Sequence, residues 1–231
     1  MPALSIIVPV LNEEAGIVAA LERLADYRRQ GQEVIVVDGG SNDGTVELAR
    51  PLADAVISAP RGRASQMNAG AKRAGGRILL FLHADSRLPF SADCLVVEGL
   101  RKSTLQWGRF DVSIAGKNPM LRVIATTMNL RSRITGIATG DQAIFVTNAA
   151  FADCGGYPDI PLMEDIALSR RLKRVGRPLC LGDRVVTSGR RWERQGVMRT
   201  ILLMWRLRLA FWLGADPESL ARRYGYAPRE K

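Results

Sequence analysis

The chain has 231 residues, of which 47% are hydrophobic and 24% charged, with a formal net charge of +10. That length and composition suit one large α/β domain, or a domain with a small appendage, and exclude a disordered or fibrous chain. Cys94, Cys154 and Cys180 are widely spaced and form no CxxC pair, which argues against a disulfide framework or a zinc site and predicts a reducing cytoplasm.

The positive charge is uneven. Residues 1–60 are neutral to acidic, whereas 170–231 carry a large share of the arginines. Such an imbalance suits an anionic partner: nucleic acid, a diphosphate substrate or an anionic membrane face. The opening MPALSIIVPV lacks a basic n-region and reads as a strand, not as a signal peptide. No run of about 20 uncharged apolar residues predicts a spanning helix.

In chain order, LSIIVPV at 4–10 predicts a first strand closed by Pro9. Asn12, Glu13 and Glu14 then predict the acidic start of a helix reaching about Tyr27, with Ile17, Ala20, Leu21 and Leu24 at helical spacing. A second strand is expected at 33–37, and Ser41 to Gly44 as a turn that caps a helix through about Arg50. A short strand at 55–58, the basic loop RGRASQ, a helix at 65–74 ended by Gly75-Gly76 and a strong strand at 78–82 follow. Alternation of this kind predicts an α/β fold with a parallel sheet. Farther on, WGRFDVSI and DQAIFVTNAAF read as strands, 117–135 as a helix, and 165–175 as an amphipathic helix ended by Gly176.

Two of the early strands end in carboxylates, Asp38 in VIVVDGGSNDG and Asp85 in ILLFLHADS. Strand-end carboxylates of an open α/β sheet sit in the crevice where ligands bind. Asp38 can accept hydrogen bonds from ribose hydroxyls or a base N–H. Asp85 supplies the oxygen ligand that a divalent cation on a diphosphate requires. Arg61, Arg63 and Gln66 in the basic loop can bind phosphates through charge-assisted hydrogen bonds.

SIIVPVLNEE, VIVVDGGSNDGT, Asn68-Ala69-Gly70 before GGRILLFLHADS, and the late LMEDIALSRRLKRVG occur in this order. Together they resemble family-2 glycosyltransferases with a GT-A fold, over roughly residues 1–190. The resemblance implies a Rossmann-like, mostly parallel central sheet flanked by helices. Residues 1–100 would form its nucleotide-binding half and 101–190 its acceptor half, with a basic, amphipathic helical extension at 191–231.

The resemblance also implies roles. Pro9, Asn12, Glu13, Asp38 and Arg63 would bind the nucleotide. His83 and Asp85 occupy the place of the family's Asp-x-Asp and would hold Mn²⁺ or Mg²⁺ and the donor, with His83 departing from the usual acid. Asp165 would be the general base, with Glu164 beside it. Asp141 and Gln142 would touch the acceptor sugar, and Arg190, Arg191 and Trp192 would close over the diphosphate. Many relatives carry a second acid where Gly39 stands here.

The implied activity is inverting transfer of a sugar from a UDP- or GDP-type donor to an acceptor hydroxyl or phosphate on a lipid, glycan or small molecule. A non-catalytic, membrane-peripheral nucleotide-sugar-binding protein is the alternative. A sugar nucleotidyltransferase is disfavoured, because VPVLNEE is acidic where that class has a glycine-rich basic loop. No nucleic-acid-binding motif appears, so the charge is not assigned to nucleic acid. VMRTILLMWRLRLAFWLG at 197–214 combines Trp205, Phe211 and Trp212 with arginines. That pattern suits an anionic membrane surface or a homodimer contact, and so a cytoplasmic protein peripheral on the inner face of the cell membrane.

Overall fold

All seven residues of the first strand, β1 (Leu4–Val10), are buried, because it lies inside a sheet covered on both faces. In the computed structural model, which describes residues 1–226, β1 is followed by α1 (Glu14–Glu22), α2 (Ala25–Arg29), β2 (Glu33–Asp38), α3 (Thr45–Ala49) and β3 (Ala55–Ser58). Then come α4 (Arg63–Arg73), β4 (Ile78–Phe81), α5 (Ala92–Lys102), β5 (Trp107–Ala115), α6 (Met120–Thr135) and β6 (Phe145–Thr147). The chain continues through α7 (Asn148–Asp153), α8 (Glu164–Leu172), β7 (Leu179–Ser188), α9 (Arg190–Gln195), α10 (Val197–Trp212) and α11 (Pro217–Tyr224).

The seven strands form one sheet in the order β3-β2-β1-β4-β6-β5-β7. β1 pairs in parallel with β2 and β4, β2 with β3, and β5 with β7, whereas β6 runs antiparallel to both β4 and β5. The sheet is therefore mostly parallel, with one reversed strand in its interior. Side-chain alternation sorts β1 between two cores. Leu4, Ile6, Val8 and Val10 meet α1 and α5 on one face, and Ile7 meets α4, α7 and α8 on the other. At Gly70 a Cβ would come within 2.4 Å of Ile7 Cγ2, so α4 lies on β1 only because it presents a glycine there.

Three expectations change in detail. The helix expected from Asn12 to Tyr27 divides, since Leu24 N–H bonds Leu21 at 2.9 Å and α2 restarts at Ala25. This break turns Tyr27 inward, where its hydroxyl donates to Pro89 O at 2.8 Å. The helix expected at 65–74 starts at Arg63. The strand expected across DQAIFVTNAAF shrinks to Phe145–Thr147. Before it, Gly140–Gln142 form a 3-10 turn closed by Thr139 and Gln142, and after it Thr147 Oγ1 accepts from Ala150 N–H to start α7.

Two long-range ties set the loops at the site. Arg87 and Val186 exchange backbone hydrogen bonds of 2.8 and 2.9 Å, which fixes the Asp85 loop against β7. On β5, Arg109 is wholly buried and bonds Ser132 Oγ at 3.1 Å and Asn129 O at 3.2 Å on α6. Asn129 in turn bridges Val112 and Gln142, so α6, β5 and the turn at Asp141 are locked together. The C-terminal helices are no loose appendage: Leu207, Leu220 and Ala221 are buried with Leu162, Met163 and Ile166 at the start of α8. No helix among the described residues is long and apolar enough to cross a membrane.

Candidate active site

The parallel strands β1 and β4 are neighbours, so the loops leaving their ends are adjacent. They enclose a cavity of about 360 Å³ lined by Pro9, Glu13, Arg61, Arg63, Gln66, His83, Asp85 and, from beyond α11, Gly225 and Tyr226. The Glu13 carboxyl is raised above its usual range by burial and then by the negative charge of Asp85, with Arg190 and Arg63 acting in the opposite sense. Burial works against the Arg63 charge, but Glu164, the tyrosines Tyr226 and Tyr224, and Asp141 outweigh it and hold the guanidinium firmly protonated.

A second cavity, of about 620 Å³, lies on the α6 and α10 side and is lined at its polar end by Thr139, Gly140, Asp141, Glu164 and Asp165. Its opposite wall carries Ile124, Met128, Trp192, Ile201, Met204 and Trp205. Arg63, His83 and Asp85 line both cavities. The two compartments therefore meet at one arginine, one imidazole and one carboxylate.

Glu164 and Asp165 begin α8 after Met163, whose φ of 67° is left-handed. Glu164 is buried, and burial with the adjacent Asp165 charge pushes its carboxyl up to about 7, against the pull of Arg63. Asp165 Oδ2 accepts from Gly140 N–H at 2.9 Å, and its Oδ1 from Ile166 N–H at 2.7 Å. A Cβ at Gly140 would lie 2.6 Å from His83 Nε2, so the imidazole rests directly on this glycine. His83 Nδ1 faces Asp141 Oδ1 at 3.6 Å. Burial would raise the Asp141 carboxyl, but His83, Arg63 and Arg208 together hold it below the usual range.

Three of the expected site residues are engaged by neighbouring groups of the chain. Asp38 lines neither cavity; its carboxylate turns into its own loop and accepts from Gly40 N–H at 2.9 Å and from Ser41 N–H and Oγ. Asn12 is spent on the same loop: its N–H donates to Ser41 Oγ and its side-chain oxygen accepts from Asn42 N–H, each at 2.9 Å. Gln142 is fully buried and bonds Asn129 and Thr139, so it cannot reach an acceptor. Arg190 donates to Ser188 Oγ at 3.0 Å on the exposed rim, and Trp192 lines the larger cavity. The Arg191 side chain lies outside the described residues.

The absent second acid at Gly39 has a local reason. A Cβ there would sit 3.0 Å from Gln66, whose amide donates to Val10 O at 2.8 Å and Val37 O at 2.7 Å. Gln66 thus satisfies the ends of β1 and β2 where an acidic side chain would otherwise project.

For a divalent cation the donor set is small. Asp85 is exposed, with Ser86 Oγ at 3.5 Å as a weak neighbour. Among the described residues no group of three or more His, Cys, Asp or Glu could hold a metal unaided. A hydrated Mg²⁺ or Mn²⁺ bound jointly with substrate phosphates needs only one or two carboxylates. Asp85 and Glu13, which repel each other across the smaller cavity, fit that need. His83, expected on the metal beside Asp85, stands between Asp141 and Gly140 and lines the same two cavities as Asp85.

Sequence reasoning missed Arg131 and Arg208, both of which line the larger cavity. The signal was present: Ile124, Met128 and Arg131 follow an i, i+4, i+7 stripe, and Ile201, Met204, Trp205 and Arg208 an i, i+3, i+4, i+7 stripe. An arginine continuing an apolar helical stripe faces inward.

The family model described as Glycosyl transferase family 2 matches residues 5–152. A PGL/p-HBAD biosynthesis glycosyltransferase of Mycobacterium bovis is 30% identical over 260 residues, covering 90% of this chain and 98% of the relative. An undecaprenyl-phosphate 4-deoxy-4-formamido-L-arabinose transferase of Aeromonas hydrophila is 34% identical over 96 residues, 37% of this chain and 29% of its own. Among solved structures, S. aureus TarS 1-349 in complex with UDP-GlcNAc is similar with a TM-score of 0.66 at 21% identity, over 81% of this chain and 58% of that one. The mannosyltransferase PcManGT from Pyrobaculum calidifontis, in complex with GDP-Man and Mn²⁺, gives 0.64 at 24% identity, over 98% and 66%.

Proposed function

The chain belongs to glycosyl transferase family 2 and is a glycosyltransferase; we propose that it transfers a sugar, with inversion, from a nucleoside diphosphate donor to an acceptor in the larger cavity. The observation that carries this reading is the wall of Arg63, His83 and Asp85 common to both cavities. The nucleotide occupies the smaller compartment between Pro9, Glu13 and Arg61. Its diphosphate reaches the common wall, where Arg63 meets it with a permanent charge. The sugar then projects toward Asp165. Residues 1–100 supply most of the donor side and 101–190 the catalytic acids, while the C-terminal helices close both compartments.

Asp85, with Glu13 nearby, would hold Mn²⁺ or Mg²⁺, which when bound neutralises charge developing on the diphosphate. The complexes of PcManGT with GDP-Man and Mn²⁺ and of TarS with UDP-GlcNAc support a donor of this class. An acceptor hydroxyl oxygen attacks the anomeric carbon as the bond to the diphosphate oxygen breaks, and that electron pair leaves with the nucleoside diphosphate. The hydroxyl proton passes to Asp165, whose carboxylate is held toward the cavity by Gly140 N–H. Glu164 is the neighbouring acid that changes charge near neutral pH. Asp141 keeps His83 oriented at the wall.

Thermal shifts with UDP, GDP and their sugars, with and without Mn²⁺, test the donor assignment, since a ligand of the native state raises the melting temperature. At least one nucleotide should stabilise the chain in a Mn²⁺-dependent way, and Asp85→Ala should abolish that dependence. An unchanged Mn²⁺-dependent shift in Asp85→Ala removes Asp85 from the metal.

A further inference from the structure

The turn that ends α11 reaches back to the donor side of the site. Asp216 caps the helix, its carboxylate accepting from Ser219 N–H at 2.9 Å, and Pro217 occupies the first turn. Leu220 and Ala221 are buried beside Leu162 and Met163, which fixes α11 to the segment that leads into Glu164 and Asp165. At the other end Gly225 takes a left-handed φ of 83°. Its N–H donates to Arg222 O at 3.0 Å, and Tyr226 N–H reaches back to Ala221 O at 2.9 Å, the Schellman form of a helix end. No atom would lie within 4 Å of a Cβ at Gly225, so conformation and not space calls for a glycine.

This turn sets two tyrosines on either side of one arginine. Tyr224 lines the larger cavity and Tyr226 the smaller, while Arg63 lines both. After Glu164, these two tyrosines contribute most to holding the buried Arg63 charge in place. Tyr226 also packs on the apolar cluster of Leu162 and Met163, so its ring has a fixed seat. Among the described residues that line the smaller cavity, Tyr226 carries the only hydroxyl. The Gln66 amide there is already engaged by Val10 O and Val37 O. Glu13 and Asp85 offer acceptors alone when ionised, so a polyanion in this compartment depends on the few donors near Arg63.

We propose that Tyr226 is a donor-binding residue: its phenolic O–H, held beside Arg63 by the turn that ends α11, donates to a non-bridging phosphate oxygen of the nucleoside diphosphate in the smaller cavity. A neutral hydroxyl next to a guanidinium adds a directed hydrogen bond to a charged acceptor without adding charge. The C-terminal helix thereby completes the donor pocket while its buried face holds the start of α8. Naming the ligand a nucleoside diphosphate rests on the donor assignment above.

Calorimetric titration of the full chain with UDP and with GDP, each with Mn²⁺, tests the proposal in the parent, in Tyr226→Phe and in Tyr226→Leu. Tyr226→Phe keeps the ring and loses only the hydroxyl, so it should weaken the bound nucleotide about tenfold or more. Without nucleotide it should melt with the parent, because the ring that packs beside Leu162 and Met163 is retained. A melting temperature lowered along with the affinity makes the tyrosine structural and overturns the proposal. Affinity kept in Tyr226→Phe but lost in Tyr226→Leu makes the ring the contact instead of the hydroxyl, and also overturns it. A parent that binds a nucleotide no better than Tyr226→Phe does overturns this proposal and leaves the donor assignment standing. A parent that binds neither UDP nor GDP overturns the donor assignment and this proposal together.

Discussion

Asp165 accepts a 2.9 Å hydrogen bond from the backbone N–H of Gly140, the same glycine on which the His83 ring rests. One residue without a side chain thus places the acid at the start of α8 and the imidazole after β4 at a fixed separation. Gly140 is not in the left-handed region, so space alone requires a glycine.

Gly140→Val should therefore displace His83 and loosen Asp165 together. Misplacement of about 1 Å in reacting groups can cost about 10²-fold, so kcat should fall by that order. Steady-state kinetics with separate donor titration checks this, and an unchanged kcat would remove the glycine from the site's geometry.

The acid pair gives a pH signature. Glu164 rises from 4.5 to about 7 on folding, so the native state binds its proton more tightly than the unfolded chain does. The stability this contributes is complete below 4.5 and is lost as pH rises toward 7. Glu164→Gln should gain melting temperature relative to the parent from pH 5 to pH 8, and a pH-independent difference would contradict the shift. Asp165→Asn should keep donor binding and reduce transfer about 10²–10⁴-fold; equal transfer rates reassign the base.

Gly39 and Gln66 should behave as a unit. Gly39→Asp pushes against the Gln66 side chain and threatens its bonds to Val10 O and Val37 O. Each buried acceptor left unsatisfied costs about 1–3 kcal/mol. Denaturant unfolding should show Gly39→Asp and Gln66→Ala each destabilising, with the double variant less destabilised than their sum. Strict additivity would mean that the two side chains do not compete.

Much of the fold was legible because it is written in local periodicity. IIVPV, VIVV and ILLFL are uninterrupted apolar runs, as strands buried on both faces require. The reversed strand was legible only in part: a strand was expected across 141–151, but these residues form a turn, three strand residues and a helix, and no periodicity fixes bounds over three residues. That Asp85, Glu13, Arg63, Glu164 and Asp165 gather around the two cavities was legible because each adjoins a recognisable strand or helix end. Arg131 and Arg208 were overlooked because arginine in a basic helix reads as solvated until its facing helix is known.

The sequence by itself determined which carboxylates stand at strand and helix ends, since those positions follow from local hydrophobic pattern and turn chemistry. Only the tertiary structure decided which groups each one meets. Asp38 and Asp85 look equivalent along the chain, yet the first is saturated by Gly40 and Ser41 while the second stays open to a cavity. Glu164 and Asp165 are neighbours in sequence, yet Asp165 takes the N–H of Gly140 while Glu164 is buried and raised. Hydrogen-bond saturation, desolvation and charge–charge energy depend on which groups from distant segments arrive within a few ångströms, and no local pattern encodes that arrival.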